Sequence, residues 1–204
     1  MKEYYSLIFD NQPLWYSVPP AAIDCFHWLP PDSGRPVSYA RLCGVRGEGL
    51  FARLWSFEEN PRCVNTKRDE PVYEDSCLEV FLKPFPSRPE YINFEMNCRG
   101  VCLSQFGKER NGRVFLKEIC GIEPFAAPFE THDDKSWGVE LFVPNELVSA
   151  VYGENFDAVP RVMKGNFYKC GDKTPNPHYA SYFPVSSADL GFHNPGCFGD
   201  IILK

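Results

Sequence analysis

Residues 91–100, YINFEMNCRG, alternate strictly. Ile92, Phe94, Met96 and Cys98 are apolar, whereas Tyr91, Asn93, Glu95, Asn97 and Arg99 are polar or amphipathic. A period of two predicts a strand with one buried face. The upstream run VYEDSCLEVFLKP, 72–84, behaves alike, with Leu78, Val80 and Leu82 on one face and Cys77, Glu79 and Phe81 on the other. Comparable runs at 23–28, 37–45, 49–57, 76–82, 91–103, 113–119, 136–143, 161–170, 179–183 and 200–203 predict further strands. The segments PPDSG, RGEG, KPFPSRP, KERNG and GDKTPNP lie between them, each a cluster of turn-forming residues. Asn111-Gly112 marks a hairpin. One short helix is predicted in PNELVSAVYG, with Asn145 as its N-cap and Gly153 as its stop. Many short strands with regular turns predict an all-β fold, an antiparallel β-sandwich of jelly-roll or immunoglobulin-like two-sheet type with few short helices. No linker or internal repeat divides the chain, so residues 1–204 read as a single domain.

Charge and motifs narrow the function. The formal net charge is -6 and no Lys/Arg-rich run occurs, which argues against a nucleic-acid binder. No apolar stretch approaches the roughly 18 residues of a membrane span. There is no GxSxG, GxGxxG or P-loop, so a serine hydrolase, a nicotinamide enzyme and an NTPase lack motif support. The nine cysteines are odd in number and contain no CxxC pair, which makes a zinc site unexpected from spacing. MKEYYSLIFD has no apolar signal region. Together these features predict a cytoplasmic protein. Nothing in the sequence sets the oligomeric state.

The polar face of 91–100 carries the candidate chemistry. Asn is depleted in strands, yet Asn93 and Asn97 flank Glu95 here. A hairpin with 76–82 places Glu79 in the same sheet. Carboxylates, carboxamides and the Arg99 guanidinium on one face suit sugar hydroxyls, each of which both donates and accepts. The competing reading is a solvated sheet face. Tyr73 offers a flat wall for the apolar face of a sugar ring, and the aromatic stretch 179–203, with Tyr179, Tyr182, Phe183, Phe192, His193 and Phe198, offers a second. The pair Glu79 and Glu95 also suits a glycosidase, which needs two carboxylates about 5–9 Å apart. His27, His132 and His178 read as surface or hydrogen-bonded residues, and THDD, 131–134, as a polar loop or an oxygen-rich calcium loop.

Five segments in this order, VYEDSCLEVFLKP, YINFEMNCRGVCLSQFG, SWGVELFVP, GNFYKCG and FHNPGCFGDIIL, resemble the family 9 carbohydrate-binding modules, in particular their stand-alone bacterial relatives. They span residues 72–203, and VSYARLCGVRGEGLFARLWSFEE fits the early strands. The resemblance implies a β-sandwich that binds carbohydrate without cleaving it, with two aromatic residues clamping a terminal sugar and calcium in a structural part. It places Tyr73 at the first aromatic position, Tyr182, Phe192 and His193 near the second, and Glu79 at the acidic position. Asn97 and Arg99, with Glu95 beside them, fall in the strand that supplies hydrogen bonds. The first clamp is Tyr rather than Trp, and Trp137 reads as an inward residue. The expectation is therefore a binding module for a mono- or oligosaccharide end, with no cofactor required. The alternatives are a glycoside-processing enzyme using Glu79 and Glu95, or a sandwich domain that has lost its ligand and serves as an interaction module.

Overall fold

The alternation at 77–83 and 91–97 forms two strands whose opposite faces meet different surroundings. In the computed structural model, which describes residues 2–28, 33–131, 133, 135–186 and 191–204, the strands are β1 (Glu3–Phe9), β2 (Ala21–Ala22), β3 (Cys25–Phe26), β4 (Val37–Val45), β5 (Gly49–Phe57), β6 (Cys77–Lys83), β7 (Tyr91–Asn97), β8 (Cys102–Gly107), β9 (Val114–Phe115), β10 (Phe125–Phe129), β11 (Ser136–Pro144), β12 (Arg161–Cys170), β13 (Tyr179–Ser181) and β14 (Gly199–Leu203). Two α-helices, α1 (Leu116–Ile119) and α2 (Asn145–Tyr152), and two 3-10 turns, Val72–Glu74 and Pro195–Cys197, complete the described elements. Neither helix is long and apolar enough to cross a membrane.

Neighbouring strands run in the order β10-β11-β5-β4-β1-β14-β12-β6-β7-β8-β9. The strictly antiparallel expectation is corrected by β1. Its first half, from Glu3 to Ser6, pairs in parallel with β14, and its second half, from Leu7 to Phe9, in parallel with β4. The result is a curled mixed sheet. Apolar positions from β4, β5 and β11 meet those from β6, β7 and β12 in one core, including Leu42, Leu54, Val139, Val80, Phe94 and Phe167.

Other expectations are adjusted locally. The run 91–103 is two strands, because Asn97–Gly100 closes a tight turn in which the Gly100 N–H donates to the Asn97 carbonyl. Gly100 sits at φ 74, a left-handed conformation that glycine adopts without strain. The segment 113–119 is mostly the helix α1 rather than a strand. In α2 Asn145 is helical and makes no capping bond; its side chain donates to Asp157, while Gly153 stops the helix at φ 64 as expected. His178 is buried and hydrogen-bonded, and His27 bonds the Ser181 hydroxyl. His132 lies outside the described residues.

One glycine fixes how closely β6 and β12 approach. A Cβ at Gly165 would run into the Phe81 carbonyl oxygen, which belongs to backbone and cannot swing away. Gly165→Ala is therefore expected to cost about 1–3 kcal/mol. The denaturation midpoint measures this, and an unchanged midpoint would count against so close an approach.

Candidate functional site

Register brings the site together. Across four strands, Tyr168 stands opposite Glu79, Glu79 opposite Glu95, and Glu95 opposite Leu103. The adjacent row is Phe81, Asn93, Gln105 and Phe115. Both glutamates thus share a face, as the hairpin requires. That face is not solvated: Asn93 and Asn97 are fully buried, and Glu79 and Glu95 are 3% and 4% exposed. Phe192, Phe198 and Val185 from the C-terminal stretch fold over it and pack with Phe81, Tyr91 and Tyr168 into a second apolar cluster.

A cavity of about 550 Å³ remains within this cover. Glu79, Glu95, Phe81 and Cys170 form its floor, and Tyr73, Trp28, Tyr179, Phe192 and His193 its aromatic sides. Asp69, Asp172, Gln105, Arg110 and Asn111 add polar groups. Tyr73 is carried on a single 3-10 turn from Val72 to Glu74. Its carbonyl accepts the Asp172 N–H at 3.1 Å, while its ring stays 40% exposed. Trp28 packs against Phe192 and Tyr179. Phe192 in turn stacks on Tyr168 with centroids 4.2 Å apart.

Two cavity residues hold unusual backbone. Trp28 lies at φ 55 and Asp69 at φ 64, leaving Asn60 as the other described non-glycine residue in this region. Such conformations cost about 1–3 kcal/mol each and cluster at functional sites. Asp69 is further held by Lys117 at 2.8 Å and by the Ser104 N–H.

The carboxylates differ in environment. Glu95 Oε1 accepts from Asn93 Nδ2 at 2.9 Å, but its buried Oε2 has no hydrogen-bond partner among the described residues. Burial pushes the Glu95 carboxyl up to about 7, against the opposing pull of the Asn93 bond and Arg113. Burial also holds Glu79 well above the ordinary carboxylate range, reinforced by Cys170 and Glu95, and Glu79 Oε1 accepts the Cys170 thiol at 2.9 Å. Burial thus shifts both floor carboxyls toward the protonated form. Burial, aided by Arg113 and Arg110, pushes His193 down to about 3. Its 3.9 Å approach to Glu95 is accordingly not an ion pair; Nδ1 bonds the Tyr91 hydroxyl at 2.8 Å.

Of the nine residues expected at the site, Tyr73, Glu79, Glu95, Phe192 and His193 line the cavity. Asn93 lies beneath, bridging Arg113 Nε to Glu95. Asn97 is turned to structural work, donating to Asp75 and to the Asn65 carbonyl while its oxygen accepts the Arg99 and Val101 N–H groups. Arg99 is exposed on the turn, because the strand ends at Asn97. Tyr182 packs against Tyr4 and Phe183 beside the main core. Sequence reasoning missed Trp28, Asp69, Arg110, Asn111 and Asp172, while Tyr179 of the aromatic stretch does line the cavity. The available signal was Asp172 at i+2 from Cys170, on the same face of an extended chain.

In the loop expected to be polar or to hold calcium, the described oxygens serve the turn. Among its described residues, Asp133 uses Oδ1 for the Lys135 N–H and its carbonyl for Ser136 and Thr131. His132 and Asp134 lie outside the described residues.

No curated protein matches the chain. Among solved structures it is similar to a Bacteroides uniformis protein named for an inferred carbohydrate-binding role, with 25% identity and a TM-score of 0.81, covering 100% of this chain and 99% of that one. It is also similar to a family 9 carbohydrate-binding module of Caldicellulosiruptor kristjanssonii, solved with cellotriose and with glucose. Both comparisons give 12% identity and a TM-score of 0.64, covering 100% and 98% of this chain and 94% and 95% of those. The family model for carbohydrate-binding family 9 matches residues 22–203, nearly the whole length over which the curled sheet and its cavity are built, and the chain belongs to that family.

Proposed function

We propose that this protein binds the end of a mono- or oligosaccharide in the cavity and does not cleave it. The observation that carries the reading is Glu95 Oε2, without a partner among the described residues, at the floor of an aromatic-sided cavity. A buried acceptor without a partner is costly, and a ligand hydroxyl satisfies it. Tyr73 and Trp28 supply ring faces for the sugar's C–H surface. Glu79, Asp69 and Asp172 accept hydroxyl protons, while Arg110 and Asn111 donate. The family's name supports the ligand class. In the same reading the two halves of the curled sheet, β4, β5 and β11 against β6, β7 and β12, are the layers of a β-sandwich, and binding needs no cofactor. Nine unpaired cysteines support a reducing compartment.

Calorimetric titration with a panel starting from glucose and cello-oligosaccharides, in the presence of chelator, tests this. Tyr73→Ala is expected to weaken binding about tenfold, the loss of one stacking contact worth about 1–1.5 kcal/mol. No binding by the wild type, or equal binding by Tyr73→Ala, would sink the site.

The cross-strand pairing of Glu79 and Glu95 favours a second reading, a retaining glycosidase, since such carboxyls stand about 5–5.5 Å apart. Hydrolysis, however, needs carboxyls flanking the scissile bond, one ionised. Here both lie side by side on the floor and both are shifted toward the protonated form. Turnover of a glycoside that is lost in Glu95→Gln would establish the enzyme instead. The open cavity between Tyr73 and the C-terminal stretch also weighs against an interaction module with a filled cleft.

A further inference from the structure

We infer that Cys77, Glu79 and Cys170 form a binding site for a thiophilic divalent cation of the zinc type, set into the cavity floor. Register assembles it. Cys77 on β6 pairs directly with Cys170 on β12, and Glu79 follows Cys77 by two positions on the same face. The two sulfurs and a Glu79 carboxylate oxygen all lie within 4.8 Å of one another. Tetrahedral zinc, with bonds of about 2.3 Å to sulfur and 2.0–2.2 Å to oxygen, sets its ligands about 3.5–4 Å apart. Small side-chain rotations therefore close the three onto one ion.

The donor set selects the ion. Two sulfurs and one carboxylate suit zinc and its soft relatives, whereas calcium and magnesium require an all-oxygen shell. All three residues are buried, at 0%, 3% and 2% exposure, and all lie in strands of the sheet rather than in loops. The donors are thus held close together before an ion arrives. Glu79 and Cys170 also line the cavity, whereas Cys77 lies beneath. An ion here has three protein ligands and a fourth position on the cavity side, the open arrangement in which zinc takes water or a ligand oxygen. The Cys170 sulfur also approaches the Tyr73 carbonyl at 3.6 Å, which links the site to the turn that carries the exposed ring. This inference stands apart from the carbohydrate reading, because it rests on the ligating atoms alone.

The test uses the full chain, reduced and stripped with chelator, and no carbohydrate. Titration with Co²⁺ is expected to give one equivalent bound with a thiolate-to-cobalt charge-transfer band, which Zn²⁺ then displaces. Cys77→Ser and Cys170→Ser are each expected to abolish the band and to weaken Zn²⁺ binding by more than about 100-fold, beyond the loss typical of an outer partner. Cys63→Ser serves as the control. Cys63 contacts Cys98 in a separate thiol pair, and its loss should leave the band intact. Glu79→Gln, which keeps the side-chain shape, guards against misfolded serine variants: it should weaken Zn²⁺ binding while circular dichroism stays native. Zn²⁺ should also raise the wild-type melting temperature where Ca²⁺ does not. Absence of the band in the wild type, its survival in Cys170→Ser, or its loss in Cys63→Ser overturns the site. Because sugar is absent, a negative result leaves the carbohydrate reading standing, and failed sugar titrations leave this one standing.

Discussion

Asp75→Ala is expected to lower stability by about 3–5 kcal/mol, the range for removing one partner of a buried charged network. Asp75 is fully buried, yet it is an acid on the strand-entry side of β6. Its Oδ1 accepts the Val64 N–H at 3.0 Å, and its Oδ2 accepts the Asn65 N–H at 2.9 Å and Asn97 Nδ2 at 3.0 Å. Arg62 Nε lies 3.5 Å from Oδ1, within ion-pair range but not aligned as a hydrogen bond, since Nε itself remains unpartnered. Alanine removes the acceptor of the part-buried Val64 and Asn65 N–H groups and of one N–H of the buried Asn97 carboxamide, which keeps only its bond to the Asn65 carbonyl, and each buried loss costs about 1–3 kcal/mol. The consequence reaches the cavity. The segment pinned by Asp75 leads directly to Asp69 and Pro71 on the cavity rim, while Asn97 closes the β7–β8 turn. Asp75→Asn, which keeps one acceptor oxygen but turns an N–H toward another donor, should fall between wild type and alanine. Urea denaturation gives the measurement. A loss under 1 kcal/mol would show that the segment from Arg62 to Asn65 is held by other contacts.

The elements that sequence predicted well are those whose partners are close in the chain. The β6–β7 hairpin follows from two alternating runs and a proline-rich connection, and it alone places Glu79 opposite Glu95. β1 was illegible because its inward positions are Tyr4 and Ser6; Ser6 is buried by bonding the Leu42 carbonyl, so a polar residue occupies a core position. β10 was hidden by Pro128, which is compatible with a strand only because β10 lies at the edge of the sheet. The turn at Asn97 was masked by an alternation that continues through Cys98, while the Gly100 φ that breaks it carries no hydrophobic signal. The site shows the same division. Floor residues were legible because strand register is local, but their burial was not, because the cover arrives from residues near 192–198. Trp28 is separated from that stretch by most of the chain. Only its packing against Phe192 reveals it as a cavity wall. Arg99 was carried to the wrong place by extending the strand beyond Asn97.

Acid is expected to weaken the fold between about pH 6.5 and 4 through His178, and His178→Gln should remove that dependence. His178 is buried at 3% exposure. Nε2 lies 2.7 Å from Lys169 Nζ, and Nδ1 lies 2.9 Å from the Asn176 carbonyl. An ammonium only donates and a carbonyl only accepts, so the imidazole is neutral with its proton on Nδ1. A second proton on Nε2 would face the ammonium directly. Burial, followed by Lys169, accordingly pushes His178 down to about 4, against smaller opposing pulls from the Asn176 bond and Glu58. The unfolded chain protonates near 6.5 and the folded chain near 4, so in this window the unfolded state binds more protons and stability rises with pH. The stabilising contribution is complete above 6.5 and lost as pH falls through 4, an amount on the order of 3 kcal/mol. Glu95 titrates in the same window with opposite sign, because its folded value is raised. The observable is therefore the stability difference between wild type and His178→Gln, in which Glu95 cancels. That difference should shrink by about 3 kcal/mol between pH 7.5 and pH 4; a constant difference would mean that Lys169 releases His178 on protonation. Lys169 is itself fully buried against Glu58 at 3.1 Å, which limits that escape. The affected region is not remote from the cavity, since His178 precedes Tyr179, which lines the cavity together with Asp172. Loss of this anchor in acid should loosen the wall before it melts the core, and tyrosine fluorescence should move ahead of far-ultraviolet dichroism.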